Sequence, residues 1–156
     1  MSCADWVLTG IPRAGTSHCT RLLANLPDTV ALNEPLQLTD FAECLDADSA
    51  VARIRSRFAD IREQILSEHT APAVNVGGRQ SDQRVTAAGK GAGLRKPQGV
   101  VSDIHLDAPL SDSFRLIIKQ NALFTALLES LGDEFSCLAL VRNPLEILAS
   151  WQTVDL

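Results

Sequence analysis

Two groups of residues in this chain carry types suited to holding anions. Arg13, Ala14, Gly15, Thr16 and Ser17 sit in the stretch GIPRAGTSHC, residues 10–19, directly after the apolar run WVLT. A strand, a glycine-bearing loop and a helix in succession leave unpaired backbone N–H groups at the helix start, where the helix dipole favours negative charge. Gly15 lets the backbone approach an anion closely. Thr16 and Ser17 add hydroxyl donors, and Arg13 adds a planar charged fork. The plainer alternative is an ordinary strand-to-helix turn with Thr16 as the N-cap. The second group is Arg142 and Ser150, eight positions apart, in VRNPLEILAS. Its plainer alternative, a helix start with Asn143 as N-cap and Pro144 behind it, does not account for an arginine leaving an apolar strand.

One phosphate chemistry fails on spacing, and a second lacks two of its parts. A cysteine phosphatase needs an arginine six residues past its cysteine; six past Cys19 is Asn25. Cys19 also falls on the apolar side of the following helix, which suits a core residue. A P-loop kinase needs a lysine where Thr16 stands, and an aspartate at the end of a second apolar strand to help hold magnesium. The apolar run FSCLALV ends in Arg142 instead, and Asp103 after VVS is a poor substitute. A kinase with a degenerate loop and a nucleotide-binding fragment without turnover remain as alternatives.

A third chemistry uses what is present. PRAGTS resembles the 5′-phosphosulfate loop of sulfotransferases, usually written PKSGTT, with Arg13 at the lysine position. VRNPLEILAS resembles that family's 3′-phosphate motif, an apolar strand followed by RNPxDxxxS, with Glu146 in place of the aspartate. The resemblance covers residues 5–35 and 114–151. It implies a P-loop-like, three-layer α/β fold with a mainly parallel sheet flanked by helices. It also implies 3′-phosphoadenosine 5′-phosphosulfate as co-substrate, with no metal. Arg13 to Ser17 would hold the 5′-phosphosulfate; Arg142 and Ser150 would hold the 3′-phosphate that ATP lacks. Lys119 matches a lysine that the family places near the sulfuryl group. Asn121 stands where members acting on phenols and steroids carry a histidine base. Glu34, in ALNEPL, fits the glutamate base of branches that act on carbohydrates and similar acceptors. The acceptor would be a small molecule or carbohydrate-like, offering a hydroxyl or amine. Complete members continue further, so the resemblance implies a donor-binding domain spanning 1–156 from which the C-terminal part of the fold is missing.

The elements that must position these residues follow from pattern. Residues 5–9, 28–32 and 114–119 read as strands, and FSCLALV (135–141) as a central parallel strand. Thr16 to Leu26 reads as a helix with Cys19, Leu22, Leu23 and Leu26 on one face. Asp48 to His69 carries Val51, Ile54, Phe58, Ile61 and Ile65 at helical spacing. Ala122 to Leu131 reads as a helix ending at Gly132, and Pro144 opens a last helix through Trp151. Residues 71–99 hold six of the nine glycines and read as a long flexible loop or lid with room for short strands. Alternating strands and helices predict an α/β fold.

Composition narrows the partners. With a net charge of −5 the chain has no overall basic footprint for nucleic acid. No apolar run reaches the length of a membrane span, and the N-terminus lacks the pattern of a signal peptide. The four cysteines form no CxxC pair and no metal-like spacing with the three histidines, and read as reduced thiols of a cytoplasmic protein. Among the remaining candidates, His18 reads as exposed, His105 as an alternative base flanked by Asp103 and Asp107, and His69 as a surface residue. Trp6 and Trp151 read as packing residues.

Overall fold

A computed structural model describes residues 5–76, 79–80 and 99–153. Strand β1 (Asp5–Gly10) is the N-terminal element and lies inside a four-stranded sheet. Its neighbours come from far along the chain: β6 (Arg115–Lys119) on one side and β7 (Ser136–Leu140) on the other. Strand β2 (Thr29–Asn33) completes the sheet beyond β6, giving the order β2-β6-β1-β7 with every pair parallel. Parallel strands need crossover connections and cover on both faces, hence the near-continuous apolar runs of β2 and β6.

Alternate residues divide between the two faces. Val7, Val30, Leu32, Leu116 and Ile118 join the larger core with helix α2 (Ala47–Glu68). Leu8, Ala31 and Ile117 face the other way, where Cys19 and Leu23 of helix α1 (Thr16–Leu23) pack against them. The α/β class with a parallel sheet flanked by helices is therefore as the sequence predicts.

Helix α2 forms for reasons visible in its sequence. Val51, Ile54, Phe58, Ile61 and Ile65 are buried along one stripe. Asp46 caps the start, accepting from Ser49 N at 2.8 Å, and His69 ends the helix in the left-handed region at φ 55°. Arg62 ties the helix to the sheet: it pairs with Asp5, donates to Phe114 O at 2.9 Å and stacks over the Phe114 ring.

Four expectations need correction. The loop expected over 71–99 begins later than expected, because residues 71–76 are part of a full strand: β3 (Thr70–Val76) pairs antiparallel with β4 (Arg79–Gln80) and with β5 (Val100–His105) in a second, three-stranded sheet. The rest of the 71–99 segment, Gly99 apart, lies outside the described residues. Helix α1 stops at Leu23, and its inward residues are Thr16, Cys19, Thr20 and Leu23; Leu22 and Leu26 are exposed. The single helix expected over 122–131 is two, α3 (Asn121–Ala126) and α4 (Leu128–Gly132), broken at Leu127 with φ −107° and ψ 13°. Gly132 belongs to α4, and Asp133 is the C-cap. Finally, β7 is an edge strand, with Cys137 and Ala139 exposed and Val141 just beyond it 91% exposed. An apolar run shows that a strand can be buried; it does not fix the strand's place in the sheet. Helix α5 (Pro144–Trp151) follows β7, capped by Asn143, which accepts from Leu145 N at 2.9 Å.

Candidate functional site

The site lies at the C-terminal ends of the parallel strands, where α/β sheets position ligand-binding loops. The first loop leaves β1 at Gly10. A Cβ here would meet Leu140 O of β7 at 2.7 Å, so only glycine lets the two strands end this close together. The loop turns through Ala14 N to Ile11 O at 2.9 Å. Arg13 has a positive φ of 77°, and Gly15 follows at φ 101° as the N-cap of α1. Gly15 rather than Thr16 is thus the cap, and a glycine brings no side chain of its own to the N–H groups at the helix start. Thr16 is buried as the first residue of α1, and its hydroxyl donates to Asn121 Oδ1 at 3.0 Å. Ala14 is buried, and Ser17 is half-buried beside it.

The second motif closes onto this loop through three contacts. Arg13 Nε donates to Ser150 Oγ at 3.0 Å. Arg142 Nη1 donates to Arg13 O at 3.2 Å. Trp151 Nε1 donates to Pro12 O at 3.0 Å. Arg142 is also oriented by Glu146, one helical turn on, at 2.7 Å. Two guanidinium groups and the Ser150 hydroxyl therefore gather beside one helix N-terminus, a set of donors suited to oxyanions.

The third part is an ion pair. Asn33 and Lys119 are register partners of β2 and β6, and Glu34 N donates back to Lys119 O at 2.8 Å. Glu34 has a positive φ of 50°, an uncommon conformation for a residue with a side chain. It turns the chain off β2, and its carboxylate pairs with Lys119 Nζ. The Lys119 side chain is 1% exposed, which overturns the alternative of a solvated strand-end lysine; Glu34 is partly buried. A buried lysine is retained only with such a partner. Beside the pair lies a cavity of about 420 Å³, bounded by Glu34 and Gln120 and by Val74, Val100 and Val101 of the second sheet.

The remaining candidates lie apart from this arrangement. Asp103 and His105 sit exposed on β5 of the second sheet, away from the parallel strand ends where a magnesium-holding aspartate is expected. His105 Nε2 is 3.6 Å from Asp107 Oδ1. His18 lies 3.4 Å from an Arg21 nitrogen on the exposed side of α1. Cys19 packs under that helix, and burial pushes its thiol up, away from the thiolate a nucleophile needs. Three residues gain roles that their types did not announce: Asn121 holds Thr16, Trp151 holds Pro12, and Gln120 lines the cavity. All three contacts depend on chain segments more than a hundred residues away or on a cavity wall, which local spacing does not reveal.

Protein-family models, curated proteins and solved structures were all compared with the chain, and none matches. Among the described residues no helix is long and apolar enough to cross a membrane.

Proposed function

We propose that this chain is a donor-binding domain of sulfotransferase type on a P-loop-like fold. It takes the sulfuryl group of 3′-phosphoadenosine 5′-phosphosulfate and passes it to an acceptor hydroxyl or amine. The observation that carries this reading is the contact between the two anion motifs, Arg13 to Ser150 and Arg142 to the Arg13 carbonyl. A donor with phosphates at its 5′ and 3′ positions needs two receptors at a fixed separation, and these contacts bring the two candidate receptors together.

In this reading the N–H groups at Gly15 to Ser17 and the Arg13 guanidinium hold the 5′-phosphosulfate, with Ala14 as the backbone step between them. Arg142 and Ser150 hold the 3′-phosphate. The acceptor oxygen or nitrogen attacks sulfur in line, the bond from sulfur to the 5′-phosphate oxygen breaks, and Glu34 takes the acceptor's proton. Arg13 and Lys119 stabilise the charge that develops on the sulfuryl and leaving phosphate oxygens. The pairing of Lys119 with Glu34 supports this division, because it brings a cation and a proton acceptor together at the strand ends.

Calorimetric titration with adenosine 3′,5′-bisphosphate, set beside ADP with magnesium, tests the reading. Metal-free binding of the bisphosphate, lost in Arg142→Ala and not matched by ADP, is expected. Preference for magnesium-ADP would instead favour a kinase, and no binding of either nucleotide would remove the donor site.

A further inference from the structure

Thr16 and Asn121 share their hydrogen-bonding groups in a way that bears on the anion site. Thr16 is the first residue of α1, and its one hydroxyl proton goes to Asn121 Oδ1 at 3.0 Å. That proton is spent inside the protein, so the hydroxyl has none left to give an anion in the loop. Asn121, two positions after Lys119, is half-buried and held twice. Its carbonyl accepts from Thr9 Oγ1 of β1 at 3.0 Å, and Thr9 Oγ1 in turn meets Thr125 Oγ1 at 2.7 Å. The first residue of α3 is thereby pinned to the neighbouring strand, and the Thr16 hydroxyl sets the rotation of its side-chain amide. A primary amide carries two N–H donors on the nitrogen beside its oxygen. With Oδ1 in hydrogen-bond contact with Thr16, the same planar group holds Nδ2 within about 5 Å of the Thr16 hydroxyl. Among the described residues Nδ2 donates to no protein acceptor.

We propose that Asn121 is a further donor of the 5′-phosphosulfate site: Nδ2 donates to an oxygen of the 5′-phosphate, and Thr16 is the positioning residue that aims the amide. The identity of the anion rests on the sulfuryl-transfer reading. The role of the amide as an oxyanion donor rests on its contact with Thr16. The 5′-phosphate is the leaving group, and negative charge grows on it as its bond to sulfur breaks. A preorganised neutral amide stabilises that charge and takes up no proton, so proton transfer stays with Glu34. Thr16 thus serves the anion through its backbone N–H and through Asn121, not through its own hydroxyl.

Calorimetry on the full chain tests this with adenosine 3′,5′-bisphosphate, adenosine 3′-monophosphate, pyrophosphate and magnesium-ADP, on variants whose folding is checked by circular dichroism. Asn121→Ala is expected to weaken the bisphosphate about tenfold, the loss of one hydrogen bond to a charged group. Binding of the 3′-monophosphate, which has no 5′-phosphate, should stay as in the parent; a purely structural role for Asn121 would weaken both nucleotides alike. Asn121→Asp keeps an acceptor for Thr16 and puts a carboxylate in place of the donor, and should lose more than Asn121→Ala. Thr16→Val added to Asn121→Ala should cost no more than Asn121→Ala alone, because Thr16 acts through the amide. Bisphosphate bound by folded Asn121→Ala as tightly as by the parent, or an equal loss of the 3′-monophosphate, overturns the assignment of Asn121 and spares the donor site. Pyrophosphate and magnesium-ADP weakened by Asn121→Ala, with magnesium-ADP preferred to the bisphosphate, upholds the oxyanion donor and sinks sulfuryl transfer. Binding of none of the four by the parent sinks both.

Discussion

Arg13 and Ser150 stand 137 positions apart in the chain, and their side chains meet at 3.0 Å. The contact joins the loop after the first strand to the last turn of the last helix, so the loop's charged fork is aimed by a hydroxyl from a distant segment. An arginine held this way loses less rotamer freedom when an anion arrives. Arg13→Ala and Ser150→Ala are therefore each expected to weaken adenosine 3′,5′-bisphosphate at least about tenfold, in line with hydrogen bonds to charged groups. The double variant should fall short of the product of the two, since contacting residues couple by about 0.5–3 kcal/mol. Calorimetry on the four proteins measures this; full additivity would mean that the contact does not organise the site.

Lys119 and Glu34 should respond unequally to mutation. Removing Glu34 leaves a buried ammonium without its carboxylate, and Glu34→Ala is expected to destabilise the fold by about 3–5 kcal/mol. Lys119→Met keeps the volume of the buried stem and removes the charge, and should cost less. Adding Glu34→Ala to Lys119→Met should then cost little more. Urea unfolding of the three variants decides the point, and a Glu34→Ala penalty unchanged in the Lys119→Met background would argue against the pair.

Gly10 and Gly15 should be sensitive for different reasons. An added Cβ at Gly10 meets the Leu140 carbonyl at 2.7 Å, a backbone atom that moves only if β7 moves. Gly10→Ala should cost about 1–3 kcal/mol, as overpacking does. At Gly15 the nearest atom is a flexible leucine methyl at 3.8 Å, so the penalty comes from φ 101° alone. That strain is expected at about 1–3 kcal/mol without any shift of β7. Thermal unfolding gives the magnitudes, and amide exchange in residues 136–140 should rise in Gly10→Ala only.

Two aspartates should shape the acid limb of stability. The Ser111 hydroxyl, then its backbone N–H, holds the Asp28 carboxyl below its ordinary value of 3.8. Ser49 does the same for Asp46 at the cap of α2, through its hydroxyl and then its N–H. A lowered folded pKa means stability that is fully present above 3.8 and lost as pH falls through the folded value. Asp28→Asn and Asp46→Asn should therefore lower the melting temperature at pH 7 and flatten its decline below about pH 4. A decline as steep as in the parent protein would remove both carboxylates from the account.

The sequence disclosed burial better than position. Five evenly spaced apolar residues identified α2, because a stripe at helical spacing has one stable solution, and Asn143-Pro144 marked the start of α5. FSCLALV misled because a continuous apolar run looks alike in the middle of a sheet and at its edge. Leu22 and Leu26 misled because α1 uses two buried threonines on its inner face, with Thr20 donating to Thr16 O at 2.9 Å. Pro72 and the glycines masked β3, although a strand tolerates proline where its missing N–H leaves no ladder bond broken. At the site, the residue types of each motif were visible locally. The contacts that join them, Arg13 with Ser150, Thr16 with Asn121 and Lys119 with Glu34, arise from the strand order and have no local trace.

That order, β2-β6-β1-β7, also dictates a schedule of assembly. Among the described residues the first strand pairs only with the sixth and seventh, and the second only with the sixth. A ribosome adding about 5–20 residues per second finishes β6 roughly 5–20 s after β1. For that interval residues 5–33 have no strand to pair with, and the apolar side chains of WVLT and TVAL wait in the nascent chain. The sheet thus cannot close until residues 115–119 arrive, and shelter for these apolar runs until then is what this topology asks of the cell.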